Sequence, residues 1–338
     1  MMSSKMALGL CFLFVFSGTV NAAELVNWKD GKTKDQILKF LKDTTEKGNS
    51  RFVEPGDRIA VVDNDGTLWS ERPIPVELAF SIEKIRKEAP KHPEWKNEQP
   101  FKAVLDHDHG YFEKLGEKER IDQVVKLVTV THANIAVEKF EQEAKTWFKS
   151  AKDEKSKAFY QDRTYAPMLE LLALLKAKGY KAYLVTGGDT DFVRAIARDV
   201  YGVPVEQVIG SQFQTQWISQ NGKGTLVRGT NIIEPITNGP GKPVNIQRVI
   251  GKVPVIAIGN SDGDLPMLEY AASNPRASLE ILIHHDDAQR EVAYDEGAEK
   301  VLAEARERKW ITVSMKNDFT QIFSDNTSRP LGGDIESN

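Results

Sequence analysis

The run Ile59-Ala60-Val61-Val62, broken off by Asp63-Asn64-Asp65-Gly66-Thr67, constrains this chain more than any other stretch. Four apolar, mostly β-branched residues in succession suit a strand buried on both faces, as in a parallel sheet covered by helices. The run ends in two carboxylates at i and i+2, and Gly66 supplies the backbone freedom for a sharp turn. Open α/β sheets take their ligands at the C-terminal ends of the strands, which is where Asp63 and Asp65 stand. Two like charges there repel and lose hydration, so they call for a compensating cation. A ligand set made of oxygen suits Mg²⁺. Taken alone, the stretch also reads as a strand followed by an acidic turn, and its partners must come from elsewhere.

The rest of the chain repeats the theme. Apolar runs predict further strands at 181–186, 203–209, 255–259, 279–284 and 310–315, with helical patterns between them. Alternating strands and helices predict an α/β fold, a doubly wound parallel sheet of five or six strands. A hairpin is expected from 212–218 and 225–228 around Asn221-Gly222. Ile37, Leu38 and Leu41 give a helix at about 33–45 an apolar face. Residues 76–160 differ: rich in Lys, Glu and Gln, they carry helical spacing at Val76, Leu78, Ala79, Ile82 and Ile85, and again at Val137, Phe140, Ala144, Trp147 and Phe148. We expect an all-helical insertion there. Asp106-His107-Asp108-His109-Gly110 within it reads as a solvated loop, because four successive ligands do not converge and no distant Cys or His partner is evident.

The first 22 residues have the build of a secretory leader: Lys5, an apolar stretch from Ala7 to Phe16, and Val20-Asn21-Ala22 as a cleavage site. Cleavage is expected after Ala22, which places the mature chain outside the cytoplasm, in the periplasm or the medium. Leu10 before Cys11 does not suit a lipoprotein anchor. Losing the leader removes Cys11, the sole cysteine, so neither a disulfide nor thiol chemistry is expected. Lys5 is the leader's only charge, so a formal −4 becomes −5 without it. A mildly acidic chain with no basic block has little claim on nucleic acid. No later apolar run approaches the roughly 18 residues of a membrane span. A polar tail, 327–338, closes the chain.

Three later segments could complete a site around Asp63. Thr186 ends a strand just before Gly187-Gly188, where a hydroxyl and free N–H groups at a helix start make an anion site. Lys242 lies in the proline-punctuated Gly239-Pro240-Gly241-Lys242-Pro243, read as a rigid loop, opposing a phosphate or simply exposed. Asn260-Ser261-Asp262-Gly263-Asp264 follows the strand at 255–259 and adds acids and an amide.

This order, with strand-Asp-x-Asp-Gly-Thr, helical insertion, strand-Thr-Gly-Gly, hairpin, Lys and strand-Gly-Asn-Ser-Asp-Gly-Asp, resembles the four-motif pattern of the haloacid dehalogenase superfamily, which consists mostly of phosphatases. The likeness covers about residues 58–270 and looks closest to the phosphoserine phosphatase-like branch. It implies a Rossmann-like core at 23–75 and 161–326 with a helical cap at 76–160. By that similarity Asp63 is the nucleophile and Asp65 the general acid/base, also a metal ligand through its backbone carbonyl. Thr186 and Gly187, with Lys242, hold the phosphate, and Asn260 and Asp264 complete the Mg²⁺ site. Trp69 and Glu71, in the loop after the first motif, contact the leaving group. One departure stands out. The branch has Gly-Asp-x-x-x-Asp in the fourth motif, and here the first Asp is Asn260. Either its neutral oxygen ligates Mg²⁺ less tightly, or Asp262 turns inward instead. The implied activity is hydrolysis of small phosphate esters. A phosphotransferase or mutase, or a non-catalytic anion-binding protein, remains a separate reading, whereas an acid at i+2 serves an alkoxide leaving group and speaks against dehalogenation.

Overall fold

Eight strands are present among the described residues: β1 (Ile59–Val62), β2 (Lys181–Asp189), β3 (Val208–Ser211), β4 (Phe213–Gln220), β5 (Lys223–Ile232), β6 (Ile256–Gly259), β7 (Leu279–His284) and β8 (Ile311–Ser314). The computed structural model describes residues 25–153 and 157–324, so the expected leader and polar tail lie outside them. Six strands form one parallel sheet in the order β3-β2-β1-β6-β7-β8. β4 and β5 pair separately as an antiparallel hairpin.

β1 explains why the sheet is covered on both sides. Ala60 and Val62 point into one apolar cluster with Ile37 and Leu41 of α1 (Lys32–Thr45). Ile59 and Val61 point the other way, into a second cluster. All four are at most 3 % exposed. Ile59, Val61 and Val62 each contribute roughly 1.5–3 kcal/mol by leaving water, which holds a strand of only four residues.

Between β1 and β2 run α2 (Val76–Glu88), α3 (Phe101–Leu105), α4 (His109–Glu113), α5 (Glu117–His132) and α6 (Val137–Ser150). None of the described residues from 76 to 153 joins the central sheet. Ile85, Trp95, Phe101, Val104 and Leu127 close a small apolar core of their own. α6 departs from that company: Phe140, Ala144 and Phe148 belong to the main cluster. No helix among the described residues is long and apolar enough to cross a membrane.

α7 (Ala166–Ala177) leads into β2, and α8 (Thr190–Ile196), α9 (Gly241–Ile250), α10 (Leu265–Ala272) and α11 (Glu299–Arg308) follow it. Met168 and Leu172 of α7 pack on the face of Ala60; Ile246 of α9, Leu268 of α10 and Val301 of α11 pack on the face of Ile59.

Two local readings change. β3 starts at Val208, not 203, because Pro204 leads into a single tight turn at Val205–Gln207. The hairpin is longer than expected, with Asn221 (φ 53°) and Gly222 (φ 75°) making a two-residue left-handed turn. It is also fastened to the helical insertion: Asn134 N–H donates to Arg228 O at 2.8 Å, and Arg228 N–H to Ile135 O at 2.9 Å. The His107 segment stays clear of metal geometry. Asp108 Oδ1 accepts from Tyr111 N–H at the start of α4, and His107 Nδ1 lies 2.9 Å from Arg86 Nη2.

Candidate active site

β2, β1 and β6 are neighbours, so their C-terminal ends deliver three segments to one place. Asp63 leaves β1 with its N–H on Ile258 O at 2.9 Å, still in the ladder with β6. Its carboxylate is buried, and Lys242 Nζ donates to Asp63 Oδ1 at 2.5 Å. The same ammonium donates to Asp264 Oδ1 at 2.6 Å and Val185 O at 2.9 Å. Lys242 therefore sits not in a loop but in the first turn of α9, with its long stem driven inward and the head 2 % exposed. Burial pulls the Lys242 pKa down, but Asp264 and Asp63 more than offset this and hold it above the ordinary value. It stays charged. Burial and then the Asp264 charge push the Asp63 carboxyl well above the usual range, against the pull of Lys242.

Asp65 is gripped from another side. Trp69 Nε1–H donates to Asp65 Oδ1 at 2.9 Å, and Thr186 Oγ1 lies 3.5 Å from Asp65 Oδ2. Burial raises the Asp65 carboxyl, with the Trp69 hydrogen bond acting the opposite way. Trp69 is 1 % exposed and packs on Phe148 and Tyr201 at ring separations of 5.5 and 6.0 Å. A ring so enclosed meets Asp65 rather than solvent. Thr186 is fully buried at the end of β2, and its hydroxyl accepts from Gly188 N–H at 3.0 Å. Gly187 follows it in the strand and carries its carbonyl to Ser211 Oγ at 2.8 Å.

The fourth segment separates its three candidates. Asp264 uses Oδ2 to accept from Asn260 N–H (2.9 Å), Ser261 N–H (3.0 Å) and Ser261 Oγ (3.1 Å), while Oδ1 takes Lys242. It ties the loop together through these four contacts. Gly259 permits this, since a Cβ there would lie 2.5 Å from Asp264 Cβ. Asp262 does not turn inward: Val301 N–H at the start of α11 donates to its Oδ1 at 2.8 Å. Asn260 is the one that faces the first motif. Thr67 Oγ1–H donates to Asn260 Oδ1 at 3.1 Å, and Asn260 Nδ2–H donates to Glu71 Oε1 at 3.0 Å. Glu71 thus meets Asn260 and the Tyr294 hydroxyl (2.5 Å). Gly66 (φ 77°) makes room, because a Cβ there would lie 2.1 Å from Asn260 Nδ2 and 2.7 Å from Glu71 Oε1.

Residues 60–269 match the family model of the haloacid dehalogenase-like hydrolases. The chain belongs to that family. Its fold is shared with solved structures of low identity. A functionally unknown protein from Anaerococcus prevotii DSM 20548 is 18 % identical with a TM-score of 0.53, over 82 % of this chain and 90 % of that one. A protein of unknown function from Bordetella pertussis Tohama I is 15 % identical (TM-score 0.47, 76 % and 97 % covered). A phosphoserine phosphohydrolase-like protein from Francisella tularensis subsp. tularensis SCHU S4 is 16 % identical (TM-score 0.43, 76 % and 94 % covered). No curated protein sequence matches the chain.

As a site of a haloacid dehalogenase-like hydrolase, this one can be asked whether it suits a divalent ion. Asp63 and Asp65 follow β1 and Asn260 follows β6, so oxygen-bearing side chains leave two neighbouring strand ends. Asp63, Asp65, Glu71 and Asp264 bring four carboxyl groups, and Lys242 pairs with two of them. Burial raises the first three, so each carboxyl holds its charge less readily than it would in water. The residues fit a hard cation such as Mg²⁺.

Part of the hydrolase's site had no sequence signal. His285 Nε2 lies 2.8 Å from Gly66 O, steadying the turn after Asp65, with Glu291 3.2 Å from Nδ1. Behind Gly188 lies a buried network. Glu77 Oε2 accepts from Asp189 N–H at 2.9 Å, and Glu77 Oε1 is 3.4 Å from His132 Nε2. Arg228, fully buried, pairs with Asp189 and Asp191 and donates to His132 O at 2.8 Å. Burial raises Glu77 to about 7 and lowers His132 to about 3. Ligand atoms of Glu77, His132 and Asp189 lie within 4.8 Å of one another, yet Arg228 already brings the positive charge, and the group reads as a tie between insertion, hairpin and phosphate loop. A glutamate starting a helix and an arginine in a hairpin carry no pattern that announces this pairing.

Proposed function

We propose that this hydrolase is an exported, Mg²⁺-dependent phosphatase that cleaves small phosphate monoesters through an aspartyl-phosphate on Asp63. The observation that carries the reading is Asp63 at the end of β1, held at 2.5 Å by a buried, charged Lys242 and flanked by the Trp69-bound Asp65. The phosphatases named among the solved structures of this fold, the phosphoserine phosphohydrolase-like protein for one, accord with it.

A carboxylate oxygen of Asp63 attacks phosphorus as the bond to the leaving oxygen breaks. The Asp65 carboxyl, raised by burial, donates its proton to that oxygen, then takes one from the water that attacks the phosphorus and frees Asp63. Thr186, whose contact to Asp65 is long at 3.5 Å, has a hydroxyl free to turn to a phosphoryl oxygen. The three N–H donors of Lys242 are taken by Asp63, Asp264 and Val185 O. Lys242 therefore aims the nucleophile and offsets incoming charge rather than reaching for the phosphate. Mg²⁺ would be held by Asp63, Asp65 and Asn260 and would neutralise phosphoryl charge. The helices of 76–150 stand over the strand ends through Glu77 and choose the substrate.

The direct test is phosphate release from a panel of small esters by the protein lacking residues 1–22, with Mg²⁺ and with EDTA. Turnover with Mg²⁺, lost in EDTA and in D63N, supports the reading. Wild-type turnover by D63N refutes it. Cleavage after Ala22 is read from the N-terminus of the exported protein.

A further inference from the structure

The fourth segment poses a charge problem that the fold answers at a residue far away in sequence. The family resemblance leads one to expect a carboxylate at position 260, and the Asn260 amide brings no charge. Neither neighbouring acid makes up the loss. Asp262 accepts from Val301 N–H, and Asp264 is spent on Lys242 and three donors of its own loop. The carboxylate that does touch Asn260 is Glu71, 189 residues earlier, at 3.0 Å from Nδ2.

We propose that Glu71 supplies the negative charge that Asn260 lacks in the divalent-cation site, the two residues acting together in place of one aspartate. This rests on the Mg²⁺ reading of the site given above. The geometry makes the pair interdependent. A carboxylate accepts hydrogen bonds only, so Glu71 requires the NH₂ side of residue 260, and the Thr67 hydroxyl takes the oxygen side. An aspartate at 260 would set two carboxylates face to face across that same 3.0 Å contact. Asn at 260 and Glu at 71 are therefore one choice rather than two. Gly66 enforces their closeness to Asp65, since both Asn260 Nδ2 and Glu71 Oε1 fall within 2.7 Å of where its Cβ would be. The Tyr294 hydroxyl, donating to Glu71 Oε1, keeps the carboxylate turned to Asn260. Coulomb attraction acts over the few ångströms involved whether or not Glu71 touches the ion, so the claim concerns charge.

The experiment is calorimetric titration of the metal-free protein with Mg²⁺, without substrate, backed by the rise in Tm that Mg²⁺ produces. The wild type is expected to bind, E71Q to bind at least tenfold more weakly, and N260D/E71Q to return to within about threefold of the wild type. N260D alone is expected to melt lower without Mg²⁺ and to regain most of the difference with it. Should E71Q fail to fold, the double variant decides, being isosteric at both positions with the charge moved by one residue. Equal Mg²⁺ affinity in E71Q and wild type, or a double variant that folds and does not bind, overturns the role of Glu71 and leaves the Mg²⁺ reading standing. A wild type that neither binds Mg²⁺ nor loses turnover in EDTA removes the reading itself, and the inference with it.

Discussion

The indole N–H of Trp69 donates to the carboxylate of Asp65 at 2.9 Å, so the residue four places after the proposed acid/base determines how that acid stands. Removing the donor has a predictable sign. The Trp69 hydrogen bond lowers the Asp65 pKa against the larger effect of burial, and W69F lets it rise. The acid form then persists to higher pH. The alkaline limb of the pH–rate profile for ester cleavage is expected to move up, with kcat down at least tenfold and KM little changed. A uniform loss of activity with an unmoved profile would show that Trp69 serves packing alone.

Lys242 holds two buried carboxylates, and its loss should be felt first in the fold. K242M leaves Asp63 and Asp264 unpaired, a defect worth about 3–5 kcal/mol. D63N is expected to behave in the opposite way. The Asp63 carboxyl is raised above its unfolded value, so it favours the folded state below that value and costs stability as pH rises through the folded pKa. At pH 7 the amide removes that cost. D63N should therefore match or exceed the wild type in Tm while losing turnover by several orders of magnitude. Thermal melts at pH 7 in metal-free buffer compare the two variants directly.

Glu77 is expected to make the whole protein pH-sensitive. Its folded pKa of about 7 stands above the ordinary 4.5 of a glutamate because of burial. A carboxyl raised in this way stabilises the fold fully below about pH 4.5, and the contribution fades as pH climbs to about 7. E77Q keeps the shape and removes the titration. Relative to the wild type it should gain stability between those limits, by roughly 2–4 kcal/mol at pH 8. Urea melts at pH 5 and pH 8 read this as a difference between the two proteins, and parallel curves would refute it.

Asp262 should prove structural. Its Oδ1 accepts Val301 N–H, one of the first-turn donors of α11 that has no partner inside the helix. D262A is expected to cost about 1 kcal/mol, as loss of a helix cap does, with Mg²⁺ affinity unmoved. A large drop in Mg²⁺ affinity without loss of Tm would return Asp262 to the metal site.

Much of this was written in local patterns. β1 is legible because four apolar residues in a row have no stable place except a strand with helices on both faces, and Asp63 is legible because the run ends there. The family match over residues 60–269 spans the same punctuated strands. The turn at Asn221-Gly222 and the helical spacing of 76–148 are equally local, since backbone conformation and amphipathic period are set by neighbours in sequence. Tertiary structure decided what depends on distance through space. Trp69 is a buried donor to Asp65, because enclosure by Phe148 and Tyr201 comes from segments 79 and 132 residues away. Asp262 and Asp264 look alike on paper, and only the placement of α11 and Lys242 gives them different partners. Glu71 meets Asn260 across 189 residues, and Glu77 meets Asp189 across 112. A charge finds its partner by direction and burial, and neither is encoded in the order of the residues alone.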